Sequence, residues 1–314
     1  MSARVSATVV ILTYNGERYL EEILGAVEAQ AFDGELEVLV IDSGSTDRTL
    51  SILAAHPGVR LHQIPNSEFG HGRTRDLAAR LATGEFVAYL THDATPASPS
   101  WLAELLAPML DDERIVAVLG KQLPRPHCHP MLKYEIQMTF AGLGPDFGVT
   151  VFRDTGSFAS RAEFEAAAFY SDVNAAARRS VLVGAVPYRD VSYAEDQLFG
   201  RDVLAAGLRK AYAARAAVIH SNDLTIREAS ARAVDEVLGL RRIGTELAIM
   251  SRGRMLRAIF RGSLADALRI VRDRQWSVLG RVRWLAVNPW YQAAKWSGYR
   301  RATRLPIEIE SAAL

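Results

Sequence analysis

The run LEVLVID, residues 36–42, followed at once by SGSTD, residues 43–47, decides the fold. A near-continuous apolar, β-branched run reads as a buried strand. It ends on an aspartate and breaks into small polar residues that turn the chain into a helix expected over 47–56, with Ser45 or Thr46 as its cap. Before it, VSATVVIL (5–12) is another short strand, and ERYLEEILGAVEAQA (17–31) places Tyr19, Leu20, Ile23, Leu24 and Val27 at helical spacing. After it come a strand VRLHQIP (59–65), a helix over 71–83 ended by Gly84, a strand EFVAYL (85–90), a helix PSWLAELLAPML (99–110) and a strand IVAVLG (115–120). Strand and helix alternate, which argues for a parallel α/β sheet with helices on its faces. Ligands of such sheets sit beyond the carboxyl ends of the strands, where Thr13, Asp42 and Asp93 fall.

The rest of the chain is less regular. Residues 121–226 hold the Pro/His segment PRPHCHP (124–130), the Gly-rich GLGPDFG (142–148) and two apolar runs, SVLVGAV (180–186) and AAVIHS (216–221). From about 227 the pattern turns mainly helical, with Trp276, Trp284, Trp290 and Trp296, and one boundary is expected there. The 314 residues, 49% hydrophobic and 23% charged, suffice for two domains or one large one and exclude whole-chain disorder and a collagen-like fibre. Cys128 is the one cysteine, so no intrachain disulfide forms and a reducing compartment is the economical reading. MSARVSATVVILTYNG (1–16) has one basic residue and a short apolar run, a poor signal peptide. No apolar stretch approaches the roughly 18 residues of a membrane-spanning helix.

The net charge of +1 conceals an asymmetry: residues 227–304 carry 17 Lys+Arg against 6 Asp+Glu, a net of +11, and residues 1–226 are net acidic. A basic region interleaved with tryptophan suits an anionic surface, lipid or nucleic acid, or is simply a solvated helical face.

Several motifs are absent: no G-x-x-x-x-G-K-[ST], no G-x-S-x-G, no H-E-x-x-H, and GHGRTR (70–75) has Arg75 where a dinucleotide fingerprint needs its third glycine. Asp42 in DSGSTD suits the imide N–H of uracil or thymine, with small neighbours that let backbone approach a nucleotide; the same sequence also makes a turn with a helix cap. Asp93 in THDA (91–94) suits a hard divalent cation bridging two phosphates, or is a turn residue; His220 is a second possible ligand, or a structural histidine. Glu195-Asp196-Gln197 precedes an amphipathic helix, so its carboxylates either complement the helix dipole or supply a general base for a hydroxyl proton. His127-Cys128-His129 lacks the ligand spacing of a zinc site.

Taken in order, VVILTYNGERYLEEILGAVEAQ (9–30), VLVIDSGSTDRTL (38–50), GRTRDLAARLATGEFVAYLTHDATP (72–96), AEDQLFGRDVLAAG (194–207) and the later IHS (219–221) resemble a family 2 glycosyltransferase of the GT-A fold, over roughly residues 5–225. The resemblance implies a Rossmann-like mixed sheet flanked by helices over 1–226, followed by a basic helical region over 227–314. It implies a nucleotide-sugar donor, Mg²⁺ or Mn²⁺, and an aspartate base that inverts the anomeric carbon. Thr13, Tyr14, Asn15, Glu17, Asp42, Ser43, Arg75 and His92 would line the donor pocket, Asp93 and His220 would hold the metal, and Asp196 would be the base. Glu195, Gln197 and Asn174 would lie on the acceptor side.

The family usually places an acid where Thr91 stands. THDA, SDVNAAARRS (171–180) and AEDQLFGRDVL look like its rhamnosyltransferase branch, which implies dTDP-L-rhamnose as donor, with UDP-hexoses as the alternative. One carboxylate fewer binds a divalent ion more weakly. The acceptor expected is a saccharide or polyprenyl-linked hydroxyl in bacterial polysaccharide or glycolipid synthesis, reached from the cytoplasm at the inner face of the membrane. The basic region would dock there, or form a homodimer contact. Nucleic acid is not an expected partner, since the acidic body would repel it and no binding motif is present. Two other functions compete. A sugar-nucleotide pyrophosphorylase would want a Gly-rich, basic phosphate loop that TYNGERY (13–19) lacks. A non-catalytic membrane-surface protein would not need Asp42, Asp93 and Asp196 at three strand or helix ends.

Overall fold

The computed structural model describes residues 4–154, 156, 158–221 and 225–313. Strand β1 (Ser6–Thr13) leads to α1 (Leu20–Glu28), β2 (Glu35–Asp42) to α2 (Thr49–Ala54), and β3 (Val59–Gln63) to α3 (His71–Leu81). β4 (Phe86–Thr91) and the two-residue β5 (Thr95–Pro96) precede α4 (Trp101–Asp111) and β6 (Ile115–Leu123). There follow α5 (Pro130–Ala141), β7 (Val149–Arg153), α6 (Arg161–Ala168), β8 (Asn174–Arg178), α7 (Arg179–Leu182), α8 (Glu195–Ala205) and β9 (Arg209–Ile219). The last helices are α9 (Ile226–Arg242), α10 (Arg252–Arg272) and α11 (Val278–Ala302).

The strands lie in the order β3-β2-β1-β4-β8-β6-β9-β5, with β7 on β9. β3, β2, β1 and β4 run parallel, as the periodicity predicts. Beyond β4 the sheet is mixed: β8 is antiparallel to both β4 and β6, β9 is parallel to β6, and β5 and β7 are antiparallel to β9. The purely parallel sheet expected from periodicity thus holds for one half, and the mixed sheet implied by the resemblance describes the whole. Sequence direction reverses between β1 and β4, which makes a crevice at the carboxyl ends of those two strands. Register sets its rim: Thr13 pairs with Asp42, and Leu12 with Thr91.

Local chemistry explains three departures from the expected boundaries. α1 starts late because Tyr19 and Leu20 donate to the Gly16 carbonyl and close a turn first. α2 is capped by neither Ser45 nor Thr46; Asp47 Oδ1 accepts the Thr49 N–H at 2.9 Å. Gly84 does not stop α3, which ends at Leu81; a Cβ there would lie 2.6 Å from the Ala7–Thr8 backbone, so glycine permits close passage over β1. The apolar run 180–186 contributes a single helical turn, α7, rather than sheet.

Two units divide the chain, Met1–Leu123 with Thr139–His220, and Pro124–Met138 with Ser221–Leu314. In the first, Leu20, Ile23, Leu24 and Val27 of α1 are buried in one cluster with Val9, Ile11 and Trp101. Full burial of each such side chain contributes about 1.5–3 kcal/mol. In the second, Met131, Tyr134, Ala229, Ile270 and Tyr291 form a smaller core. Lys133 Nζ and the Tyr134 hydroxyl both donate to Asp273, at 2.7 and 3.0 Å. The His129 ring packs 5.0 Å from Tyr291 and 6.0 Å from Trp284, and Cys128 is buried. Among the described residues no group of three His, Cys, Asp or Glu is placed to hold a metal.

Candidate active site

Two loops build the crevice rim. Asp42, fully buried, accepts the Gly44 and Ser45 N–H groups on Oδ2 at 3.1 and 3.0 Å, and the Ser45 hydroxyl on Oδ1. Such a turn closes on its own aspartate, and Gly44 supplies the positive φ it requires, +84°. Ser45 Oγ then accepts the Asn15 N–H at 2.8 Å, and Asn15 Oδ1 accepts the Thr46 N–H at 2.9 Å. Glu17 N–H donates to Asp47 at 3.1 Å, and Glu17 accepts the Arg48 N–H at 3.0 Å. Ser43 is buried, with its hydroxyl on the Thr13 carbonyl. So Asn15, Glu17, Asp42 and Ser43 meet at the strand ends, and much of their polarity fastens one loop to the other.

Three groups of this rim are differently placed. Asn15 sits at φ +50°, a strained region that clusters at functional sites. The Tyr14 ring is 45% exposed, free to stack on a planar ligand. Thr13 Oγ1 is buried and, among the described residues, has no hydrogen-bond partner; a Cβ on Gly16 would lie 2.5 Å from it and 3.3 Å from His92 Cβ. An orphaned buried hydroxyl is costly and calls for a ligand or water. His92 Nδ1 lies 3.4 Å from Tyr14 N, at the same strand ends.

At the end of β4, Asp93 Oδ1 accepts the Thr91 hydroxyl at 2.7 Å, and Oδ2 lies 3.3 Å from His220 Nε2. Burial works to raise the Asp93 carboxyl, but the His220 and Thr91 hydrogen bonds and the His220 charge hold it well below the usual carboxylate range. His220 Nδ1 lies 3.0 Å from Gln122 Oε1, and the Gln122 amide donates to Ser171 Oγ at 3.1 Å. That chain places a proton on His220 Nδ1, toward Gln122 Oε1, and leaves Nε2 as the ring atom that faces Asp93. One ionised carboxylate and one imidazole fit a divalent ion whose remaining ligands are water and phosphate oxygens.

The third cluster is the most buried. Arg75 Nη1 donates to Glu195 at 2.6 Å, and its Nε lies 2.8 Å from Asp172. Asp172 also accepts the Tyr188 hydroxyl at 2.6 Å; Tyr89 donates to the Arg75 carbonyl at 3.0 Å. Asp196 follows Glu195 in the first turn of α8, entered through Ala194 at φ +61°, a second strained residue. Three carboxyl groups therefore surround one guanidinium. Burial, then Glu195 and Asp172, push the Asp196 carboxyl well above its usual range, against the pull of Arg75. Burial pushes Asp172 up to about 6 even beside Arg75, with Glu195 adding to the push. The Gln197 N–H donates to Asp196 at 2.7 Å, while the Gln197 amide is held by the Tyr170 carbonyl.

Asn174 stands apart. It accepts from Trp101 Nε1 at 2.9 Å and donates to the Lys121 and Ala216 carbonyls at 3.0 and 2.7 Å, deep in the sheet. Its amide is fully engaged and does not reach the crevice. Arg75 is likewise committed to Glu195 and Asp172 rather than open to a ligand. Asp172 and Tyr89 lie in quoted segments but, like Tyr188, have a role that is legible only in three dimensions. His71 was legible as a helix-start histidine in GHGRTR: its ring lies 6.5 Å from Tyr193, and burial lowers its pKa against the pull of Glu195.

Comparison with known proteins bears on this arrangement. The model of glycosyl transferase family 2 matches residues 8–183. The O-antigen chain rhamnosyltransferase RfbN of Salmonella typhimurium is 29% identical over 235 residues, 73% of this chain and 70% of that protein. Its counterpart WbaN of Salmonella anatum is 31% identical over 234 residues, with the same coverage. Among solved structures, the mannosyltransferase PcManGT of Pyrobaculum calidifontis, in complex with GDP-Man and Mn²⁺, superposes with a TM-score of 0.56 over 93% of this chain and 86% of its own, at 18% identity. That last likeness is one of fold, the GT-A architecture.

Proposed function

The chain belongs to glycosyl transferase family 2, and from that premise we propose that it moves L-rhamnose from dTDP-L-rhamnose to a hydroxyl of a saccharide or polyprenyl-linked acceptor, with inversion at the anomeric carbon. The observation that carries the reading is the Asp196 carboxyl, raised by burial and by two neighbouring carboxylates at the mouth of α8. A base works best when its pKa nears the working pH, and this environment moves an aspartate in that direction. Asp196 takes the acceptor hydroxyl proton as that oxygen bonds to the anomeric carbon; the bond from that carbon to the nucleoside diphosphate breaks on the opposite face. Arg75 holds Glu195, and through it the first turn of α8, so that Asp196 keeps its place. Tyr14 stacks on the donor base, and the Thr13 hydroxyl donates to the donor. Asp93 and His220 would hold Mg²⁺ or Mn²⁺. A bound divalent ion offsets the charge that grows on the departing diphosphate. The rhamnosyltransferase relatives support the donor sugar.

Titration with dTDP-L-rhamnose, UDP-glucose, UDP-galactose and GDP-mannose tests the donor. Binding and turnover of dTDP-L-rhamnose in preference to the others is expected; turnover of a UDP-hexose with dTDP-L-rhamnose ignored overturns the assignment. EDTA should abolish transfer, with Mg²⁺ or Mn²⁺ restoring it, and Asp93→Asn should show the same loss without rescue. Full activity in EDTA contradicts the metal.

A further inference from the structure

Helix α10 carries an apolar face that none of the described residues of its own unit covers. Leu256, Phe260, Leu264 and Leu268 recur every four residues and Val271 follows at three, so they share one side of the helix. All are more than half exposed, Phe260 by 70%. The opposite side is packed: Ile270 belongs to the small core, and Asp266 is held by Gln292 and Arg269. The character continues into the first turn of α11, where Val278, Leu279 and Val282 are exposed, Leu279 by 83%. Contiguous apolar surface of this kind marks an interaction site.

Charge identifies the occupant. α10 holds six arginines and a single acid, Asp266, which is buried. Among the described residues no carboxylate pairs with Arg254, Arg257 or Arg261, and all three are exposed. An exposed apolar stripe bordered by unpaired arginines is the pattern of a helix lying in a membrane interface, apolar side among acyl chains and guanidinium groups on lipid phosphates. A second copy of this surface would bring like charges together along the same border. No helix of the described residues is long and apolar enough to cross a membrane.

We infer that α10, with the start of α11, docks the protein on an anionic lipid surface through Leu256, Phe260, Leu264, Leu268 and Val271, with Arg254, Arg257 and Arg261 on the headgroup phosphates. The inference does not depend on the donor or the acceptor.

Flotation of the full chain with phosphatidylglycerol/phosphatidylcholine vesicles tests it. The protein should float at low salt, float about tenfold less at high salt, and stay down with pure phosphatidylcholine. The double variant Phe260→Ser/Leu264→Ser should lose flotation at least about tenfold at low salt, because both side chains are exposed and their removal leaves the core intact. Arg257→Gln/Arg261→Gln should lose it on anionic vesicles. Unchanged melting temperatures show that these variants fold. Flotation that survives the Phe260/Leu264 change overturns the proposal. So does a protein that ignores vesicles and sediments as a dimer broken by the same substitutions, which would make a second copy the occupant.

Discussion

Asp196→Asn should fold, bind donor with near wild-type affinity and transfer sugar roughly 10²–10⁴-fold more slowly. Among the described residues Asp196 accepts the Gln197 N–H at 2.7 Å, a bond that an amide oxygen also accepts, so the first turn of α8 stays intact. Only the proton acceptor is lost. The same cluster sets the pH profile. Asp196 acts when ionised, and burial, Glu195 and Asp172 raise its pKa. As pH falls through that raised value, kcat/KM should fall, at a pH above the ordinary aspartate range near 4. Asp172→Asn removes one negative neighbour, so the acidic limb should move to lower pH while transfer persists at neutral pH. The charged groups facing Asp196 are Glu195, Asp172 and Arg75, and a shift to lower pH on removing Asp172 has the sign of a lost negative neighbour. A limb that stays in place under Asp172→Asn contradicts the coupling.

Arg75→Met should destabilise the protein by about 3–5 kcal/mol, since it leaves the Asp172 and Glu195 carboxylates buried without their cation. Against a typical stability of about 5–15 kcal/mol that is a large share. The loss has a predictable pH dependence. A carboxyl whose folded pKa exceeds its unfolded one contributes stability below the unfolded pKa and loses it as pH rises through the folded value. Asp172 already lies at about 6 with Arg75 pulling it down, and removing the guanidinium raises it further. The deficit against wild type should therefore be larger at pH 8 than at pH 5, measured by urea denaturation. Arg75→Lys retains the charge but not the fork that meets two carboxylates at once, and should fall between the two. Equal deficits at both pH values would show that packing, not charge, is what Arg75 supplies.

The parallel half of the sheet was legible because β1, β2 and β4 are apolar runs, each ending in a polar turn. β8 was not, because its buried centre is Ala175, Ala176 and Ala177, a residue with little strand preference of its own; tertiary pairing with β4 and β6 decides it. The same segment hid two polar residues of opposite fate. Asp172 meets Arg75 across the fold, an ion pair that no local pattern announces. Asn174, read as acceptor-facing, instead supports Trp101 and two strand carbonyls. Asp42 reads two ways in sequence, and the structure shows the turn explicitly, with both carboxylate oxygens engaged by Gly44 and Ser45. The Glu195–Arg75 pair joins residues 120 apart, so the sequence displayed both partners and withheld their meeting.

In the proposed reaction the carboxyl of Asp196 drives displacement at the anomeric carbon of the donor sugar. NMR of the product formed from dTDP-L-rhamnose and an acceptor alcohol tests it most directly. A rhamnoside of anomeric configuration opposite to the donor is expected, formed by wild type and nearly absent with Asp196→Asn at equal donor occupancy. A product that retains the donor configuration, or one formed as fast by Asp196→Asn, would contradict it.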